Sequence, residues 1–118
     1  MPETPADVVR SYYDRVDAED IDGLVALFAP DAVYERPGQN RLEGREELDR
    51  FYRDERPLTE GNHELHALVH DESGVATRGT FTGRQDGEGV SLGFADFFTF
   101  DEAGLIETRH TYTDRDTV

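Results

Sequence analysis

Val8, Val9, Tyr12, Tyr13 and Val16 recur at helical spacing with mostly polar residues between them. Thr4-Pro5-Ala6-Asp7 precedes them as a helix start: a capping threonine, a proline in the first turn and an acid three residues after the cap. The polar run 17–20 breaks the pattern. Asp20 then caps a second short helix carrying Ile21, Leu24, Val25, Leu27 and Phe28, which Pro30 ends. Residues 32–36 read as a short strand closed by the turn Pro37-Gly38. From Gly44, the positions Leu48, Phe51, Tyr52 and Glu55 predict a third helix that stops at Pro57.

The second half changes period. Segments 62–70, 75–84, 89–100 and 105–113 are rich in strand-forming residues. Asp71-Glu72-Ser73-Gly74, Gln85-Asp86-Gly87 and Asp101-Glu102-Ala103-Gly104 separate them as hairpin turns. Four strands joined this way predict an antiparallel meander, and three helices against one face of the sheet make an α+β layout. No internal repeat or linker interrupts the chain, so residues 1–118 read as one domain.

Alternation along the last two strands identifies an interior. Leu92, Phe94, Asp96, Phe98 and Phe100 share one face, with the carboxylate in the middle of it. An ionised acid among Leu and Phe has to be paired, protonated or solvated by a cavity. On the last strand Ile106, Thr108, His110 and Tyr112 share a face, opposite Glu107, Arg109 and Thr111. That phase points His110 and Tyr112 inward, as a polar-aromatic set of the kind a ligand pocket uses. The other reading of Asp96 is a structural pair with a neighbouring Tyr or Arg.

Charge narrows the range of partners. Asp and Glu number 27 against 12 Arg, with no Lys, for a net charge of −15. A dispersed coat of this kind repels nucleic acid and anionic membranes, and it suggests a halophilic protein from a high-salt cytoplasm, where self-repulsion is screened. There is no Cys, which excludes disulfides, thiolate chemistry and cysteine-bound zinc. No apolar run approaches the roughly 20 residues of a membrane helix, nor does the start resemble a signal peptide. The expectation is a soluble, cytoplasmic protein.

The run Asp20-Ile21-Asp22-Gly23-Leu24-Val25-Ala26-Leu27-Phe28-Ala29-Pro30-Asp31-Ala32 and, further on, Gly44, Leu48, Phe51-Tyr52 and Ala95-Asp96-Phe97-Phe98-Thr99-Phe100 resemble, in order, the ketosteroid isomerases and their SnoaL-like relatives. The resemblance spans nearly the whole chain. It implies the cone of the NTF2-like superfamily, a cystatin-like roll, and a carbonyl-containing apolar small molecule as ligand. In that family a phenol and a neutral carboxylic acid hold a developing dienolate oxygen, which is also a standard illustration of an acid kept protonated by an apolar site. The resemblance puts the phenol on Tyr12, the acid on Asp96 and a supporting tyrosine on Tyr52. It also implies a homodimer through the second sheet face, which carries Phe97, Arg109 and Thr111. Related epoxide hydrolases position water with an Asp/Arg/Asp set, of which the sequence offers one inward aspartate.

The family's proton-shuttling carboxylate lies before a proline on the first strand, and here that position is Arg36. A guanidinium is no general base at neutral pH. Glu35 is adjacent, but alternation turns it away from Tyr34 and Arg36 unless a bulge intervenes. Arg36 therefore either pairs with Asp96 or Glu35, or holds a carboxylate, enolate or phenolate of a ligand. His110 is the candidate base. Tyr34, Arg36, Phe94, Phe98 and Tyr112 are the candidate ligand contacts. His63, His66 and His70 read as surface histidines, with no metal or other cofactor expected. Three readings follow: an isomerase, cyclase or hydrolase, a non-catalytic ligand-binding module, or a protein-docking module.

Overall fold

A computed structural model describes residues 4–56, 58–85 and 87–114. Helix α1 (Pro5–Asp17) begins at the capping box expected from its sequence: Asp7 N donates to the Thr4 hydroxyl (3.2 Å), and Thr4 N donates to Asp7 (3.3 Å). Its apolar stripe, Val8, Val9, Tyr12, Tyr13 and Val16, is buried. Glu19 then adopts a left-handed conformation (φ 57°), and Asp20 caps α2 (Ile21–Val25) through Gly23 N at 3.1 Å.

Helix α2 is shorter than its apolar pattern suggested. Leu27 lies beyond it, and Phe28 already opens strand β1 (Phe28–Glu35). Pro30 therefore sits in an irregular part of β1, where the register against its neighbour shifts between Phe28 and Val33. A bulge tolerates the missing N–H. A two-residue strand, β2 (Leu42–Glu43), leads into α3 (Gly44–Arg50), and a π-helical turn (Phe51–Glu55) continues α3. The predicted stop at Pro57 and Asp86 of the second turn lie outside the described residues.

Four long strands follow: β3 (Leu58–Asp71), β4 (Gly74–Gln85), β5 (Glu88–Phe100) and β6 (Ile106–Thr113). They form the expected antiparallel meander, but the whole sheet is mixed. Its order is β2-β1-β6-β5-β4-β3, with β1 parallel to β6. Helix α1 packs across β3 and β4, and α3 packs on β1, so the helices close the concave face of a curled sheet. The α+β cone expected from the sequence is the architecture observed. Among the described residues no helix is long and apolar enough to cross a membrane.

One register detail decides what the interior contains. The β5–β6 hairpin closes with Asp101 N donating to Leu105 O, and Phe100 faces Ile106. Continued without interruption, that register would set Asp96 opposite His110. Glu107 is instead an extra residue: Thr99 faces Thr108, and Asp96 faces Thr111. A one-residue bulge turns every later side chain to the other face. Arg109 and Thr111 are therefore buried, and Tyr112 is about half exposed.

Candidate functional site

Beneath α1, a polar cluster surrounds Asp96, which is fully buried as its alternation on β5 predicted. Three donors converge on the carboxylate: the Tyr13 hydroxyl and Arg109 Nη2 (3.0 Å) on Oδ2, and the Thr111 hydroxyl on Oδ1. Asp96 thus acts as an acceptor toward all three. Arg109 Nη1 donates to the hydroxyls of Tyr12 (2.5 Å) and Tyr52 (3.0 Å), which lie 2.6 Å from each other. The guanidinium plane also lies over the rings of Tyr34 (4.4 Å) and Tyr12 (4.6 Å).

The electrostatics of the cluster are self-consistent. Burial works against the Arg109 charge, but Asp96 and the phenols of Tyr12, Tyr34 and Tyr52 outweigh it and hold the guanidinium above its ordinary value. Burial also pushes the Tyr34 phenol up to about 12 and the Tyr12 phenol well above its usual value, each opposed by Arg109. Tyr13 rises for burial first and the neighbouring Asp96 second. The result is one ion pair wrapped in neutral phenols, with Arg109 standing between Tyr12 and Asp96 and bonded to both.

Beside this cluster is a narrow cavity with an empty volume of about 440 Å³, its open mouth included. It is a slot. Phe51, Leu58, Phe81, Leu92 and Phe94 form its apolar walls, and Arg36, Arg56, Arg109 and His63 bring charge or titratable groups to it. The π-helical turn lets the adjacent residues Phe51 and Tyr52 both point inward: Phe51 onto the slot, Tyr52 into the cluster. Gly61 and Gly83 make room for the Phe81 ring, since a Cβ on either would fall within 2.1 and 2.7 Å of it.

Arg36 lies at this slot and does not reach Asp96, whose arginine partner is Arg109. The Arg36 guanidinium stacks over Phe51 (4.2 Å) and donates to the Asn40 carbonyl (3.3 Å), and partial burial lowers its pKa. Among the described residues neither Arg36 Nε nor Arg109 Nε has a hydrogen-bond partner, although both atoms are buried. An N–H with no acceptor is costly in the interior.

Of the residues expected from sequence, Tyr34, Arg36 and Phe94 line the slot, while Tyr12, Tyr52, Asp96 and Phe98 are buried outside its lining. Two orientations need correcting. His110 and Tyr112 lie on the outer face because of the Glu107 bulge, and there His110 Nδ1 sits 3.2 Å from Glu35 and its ring stacks on Tyr112. Glu35 keeps the outward phase that alternation gave it. His63, read as a surface residue, turns inward: its side chain is 6% exposed and lines the slot. Arg109 and Thr111, which simple alternation set on the opposite face, are instead the buried partners of Asp96, and no sequence pattern marked Tyr13 or the pair His63–Asp17. A search for the cation required by a buried Asp96 on the neighbouring strand would have found Arg109. Among the described residues no group of three or more His, Cys, Asp or Glu is placed to hold a metal ion.

A curled mixed sheet closed by three helices around an aromatic and polar interior defines a cone of the NTF2-like class. The chain belongs to the SnoaL-like domain family, whose model matches residues 9–109. An NTF2-like protein of unknown function from Burkholderia pseudomallei K96243 superposes with a TM-score of 0.85 at 20% identity, covering 96% of this chain and 92% of that one. An LEH-like epoxide hydrolase from M. tuberculosis superposes with a TM-score of 0.79 at 23% identity, covering 91% and 80%. In sequence, the chain is 40% identical over 47 residues to the orange carotenoid-binding protein of Limnospira maxima, a match spanning 40% of this chain and 15% of that protein.

Proposed function

We propose that this SnoaL-like domain binds a small, flat organic molecule in the slot, with a carbonyl or carboxylate oxygen of the ligand received by Arg36. The observation that carries this reading is the pair of buried, unpartnered Nε–H groups on Arg36 and Arg109 in a space otherwise walled by aromatic rings. Rings on the walls suit an unsaturated ligand, and guanidinium groups suit a planar oxygen acceptor. The narrowness of the slot favours a flat molecule over a bulky saturated one. The Asp96 cluster supports the floor by fixing Arg109. The partial match to a carotenoid-binding protein and the fold shared with an epoxide hydrolase support a small-molecule ligand.

Calorimetric titration with flat aromatic carboxylates and ketones tests the proposal. At least one should bind, and Arg36→Met should weaken that binding about tenfold or more, the loss of roughly one charge-assisted hydrogen bond. Unchanged affinity in the variant contradicts the role of Arg36, and no binding by any compound contradicts the reading as a whole.

The same domain is proposed to act as a homodimer through the outer sheet face. Phe97 and Tyr112, each about half exposed, meet there edge to face with centroids 5.8 Å apart. Sedimentation of the wild type against Tyr112→Glu checks this: a dimer should become a monomer.

A further inference from the structure

The slot has a second polar wall that the ligand anchor does not use. His63, on β3, faces the cavity, and its Nδ1 lies 2.5 Å from Asp17 Oδ1 at the end of α1. The other carboxylate oxygen of Asp17 accepts the His63 backbone N–H at 2.8 Å, so one aspartate grips both the ring and the chain that carries it. The rings of Phe81, Tyr13 and Phe94 lie 4.9, 5.2 and 5.3 Å from the imidazole and leave it little freedom to rotate. A carboxylate on Nδ1 fixes the proton there, which makes Nε2 the nitrogen with the lone pair. An imidazole oriented by a partly buried acid is the arrangement of a general base.

We infer that His63, positioned by Asp17, is the proton-transferring group of this cavity, acting on a flat ketone or similar carbonyl compound with an acidic C–H next to the carbonyl. The inference rests on the binding reading above, because the carbonyl oxygen is the atom that Arg36 receives. The step balances without a co-reactant. His63 Nε2 takes the proton as the C–H bond breaks, and the electron pair moves through the new C=C bond onto the oxygen. The resulting enolate is held by the guanidinium of Arg36. Returning the proton to the same carbon gives exchange, and returning it to a conjugated carbon shifts a double bond. Arg36 stands where the related isomerases carry their base, and the proton-moving role passes to the third strand.

The charged and titratable groups packed on His63 come from several elements. Asp17 and Tyr13 face it from α1, Arg56 from the segment after the π-helical turn, and Arg109 from β6, while β4 and β5 present the rings of Phe81 and Phe94. Burial lowers the His63 pKa, and the pull of Asp17 in the other direction does not offset it, so the ring is neutral and able to accept a proton at pH 7.

The test is hydrogen–deuterium exchange into 2-indanone and 2-tetralone, flat ketones with acidic benzylic C–H bonds, followed by proton NMR in D2O with binding measured in parallel. The wild type should accelerate exchange about 100-fold or more over buffer, and His63→Gln should remove that acceleration while the ketone still binds. Asp17→Asn, the positioning variant, should lower the rate and move the limb of the pH–rate profile, which a merely structural role would not do. In the wild type that limb should lie below the ordinary histidine value of 6.5. Binding without accelerated exchange, or exchange that survives in both variants, overturns the inference and leaves the binding reading intact. Failure of both ketones to bind overturns the two together.

Discussion

The interior has two halves that share Arg109 and differ in how completely their polar groups are satisfied. Around Asp96, a carboxylate receives three donors and a guanidinium reaches an acid and two phenols. At the slot, Arg36 stacks on a ring with its Nε unpaired, and His63, which lines the cavity, presents one nitrogen to Asp17. A network whose members are nearly all engaged holds a fold together. Groups with bonding capacity left over have something to offer a ligand. The residues that resemble an isomerase's oxyanion site therefore sit in the half built for support, and the groups proposed to meet a ligand sit in the other.

That contrast can be broken by substitution. Asp96→Ala leaves Arg109 buried without its counter-charge and should cost about 3–5 kcal/mol, read by denaturant unfolding. Arg36→Met in the other half should stay within about 1 kcal/mol, since it keeps the packing on Phe51. Equal losses in the two variants would erase the distinction. Tyr12→Phe removes one acceptor from Arg109 while Tyr52 keeps its own, and should cost about 1–2 kcal/mol by the same measurement.

A smaller effect should come from His63. In the unfolded chain it binds a proton near pH 6.5, whereas burial holds the folded value lower. Between those values the unfolded state carries more protons, so stability is full above about pH 6.5 and falls as the pH drops through the folded value. Thermal melts should show this decline, and His63→Phe should flatten it in that window. A decline of the same size in the variant would place its origin elsewhere.

Much of the scaffold was legible in the sequence because it rests on local rules. The Thr4–Asp7 capping box, the buried stripe of α1 and the turns of the meander each follow from a few adjacent residues. Inward placement of Asp96 followed from simple alternation, since β5 pairs with β4 without a slip. The phase of β6 did not follow, because nothing local marks Glu107 as a bulge, and that one residue exchanges His110 for Arg109 in the interior. His63 was missed for a related reason. Its environment is made by Asp17, 46 positions away, and by the Phe81 ring folded over Gly61 and Gly83, none of which a strand pattern reveals. Parallel pairing of β1 with β6 is likewise a long-range choice.

The unpartnered Nε–H groups of Arg36 and Arg109 are proposed to receive a ligand oxygen while the bonds around Asp96 stay closed. Arginine side-chain Nε–H resonances, followed by NMR as a flat aromatic carboxylate such as 2-naphthoate is added, test it directly. The account predicts that the Arg36 and Arg109 Nε–H signals shift together and saturably, with the surface arginines Arg41 and Arg53 unmoved. Shifts confined to surface arginines, or a saturable binding event that leaves both Nε–H signals in place, would contradict it.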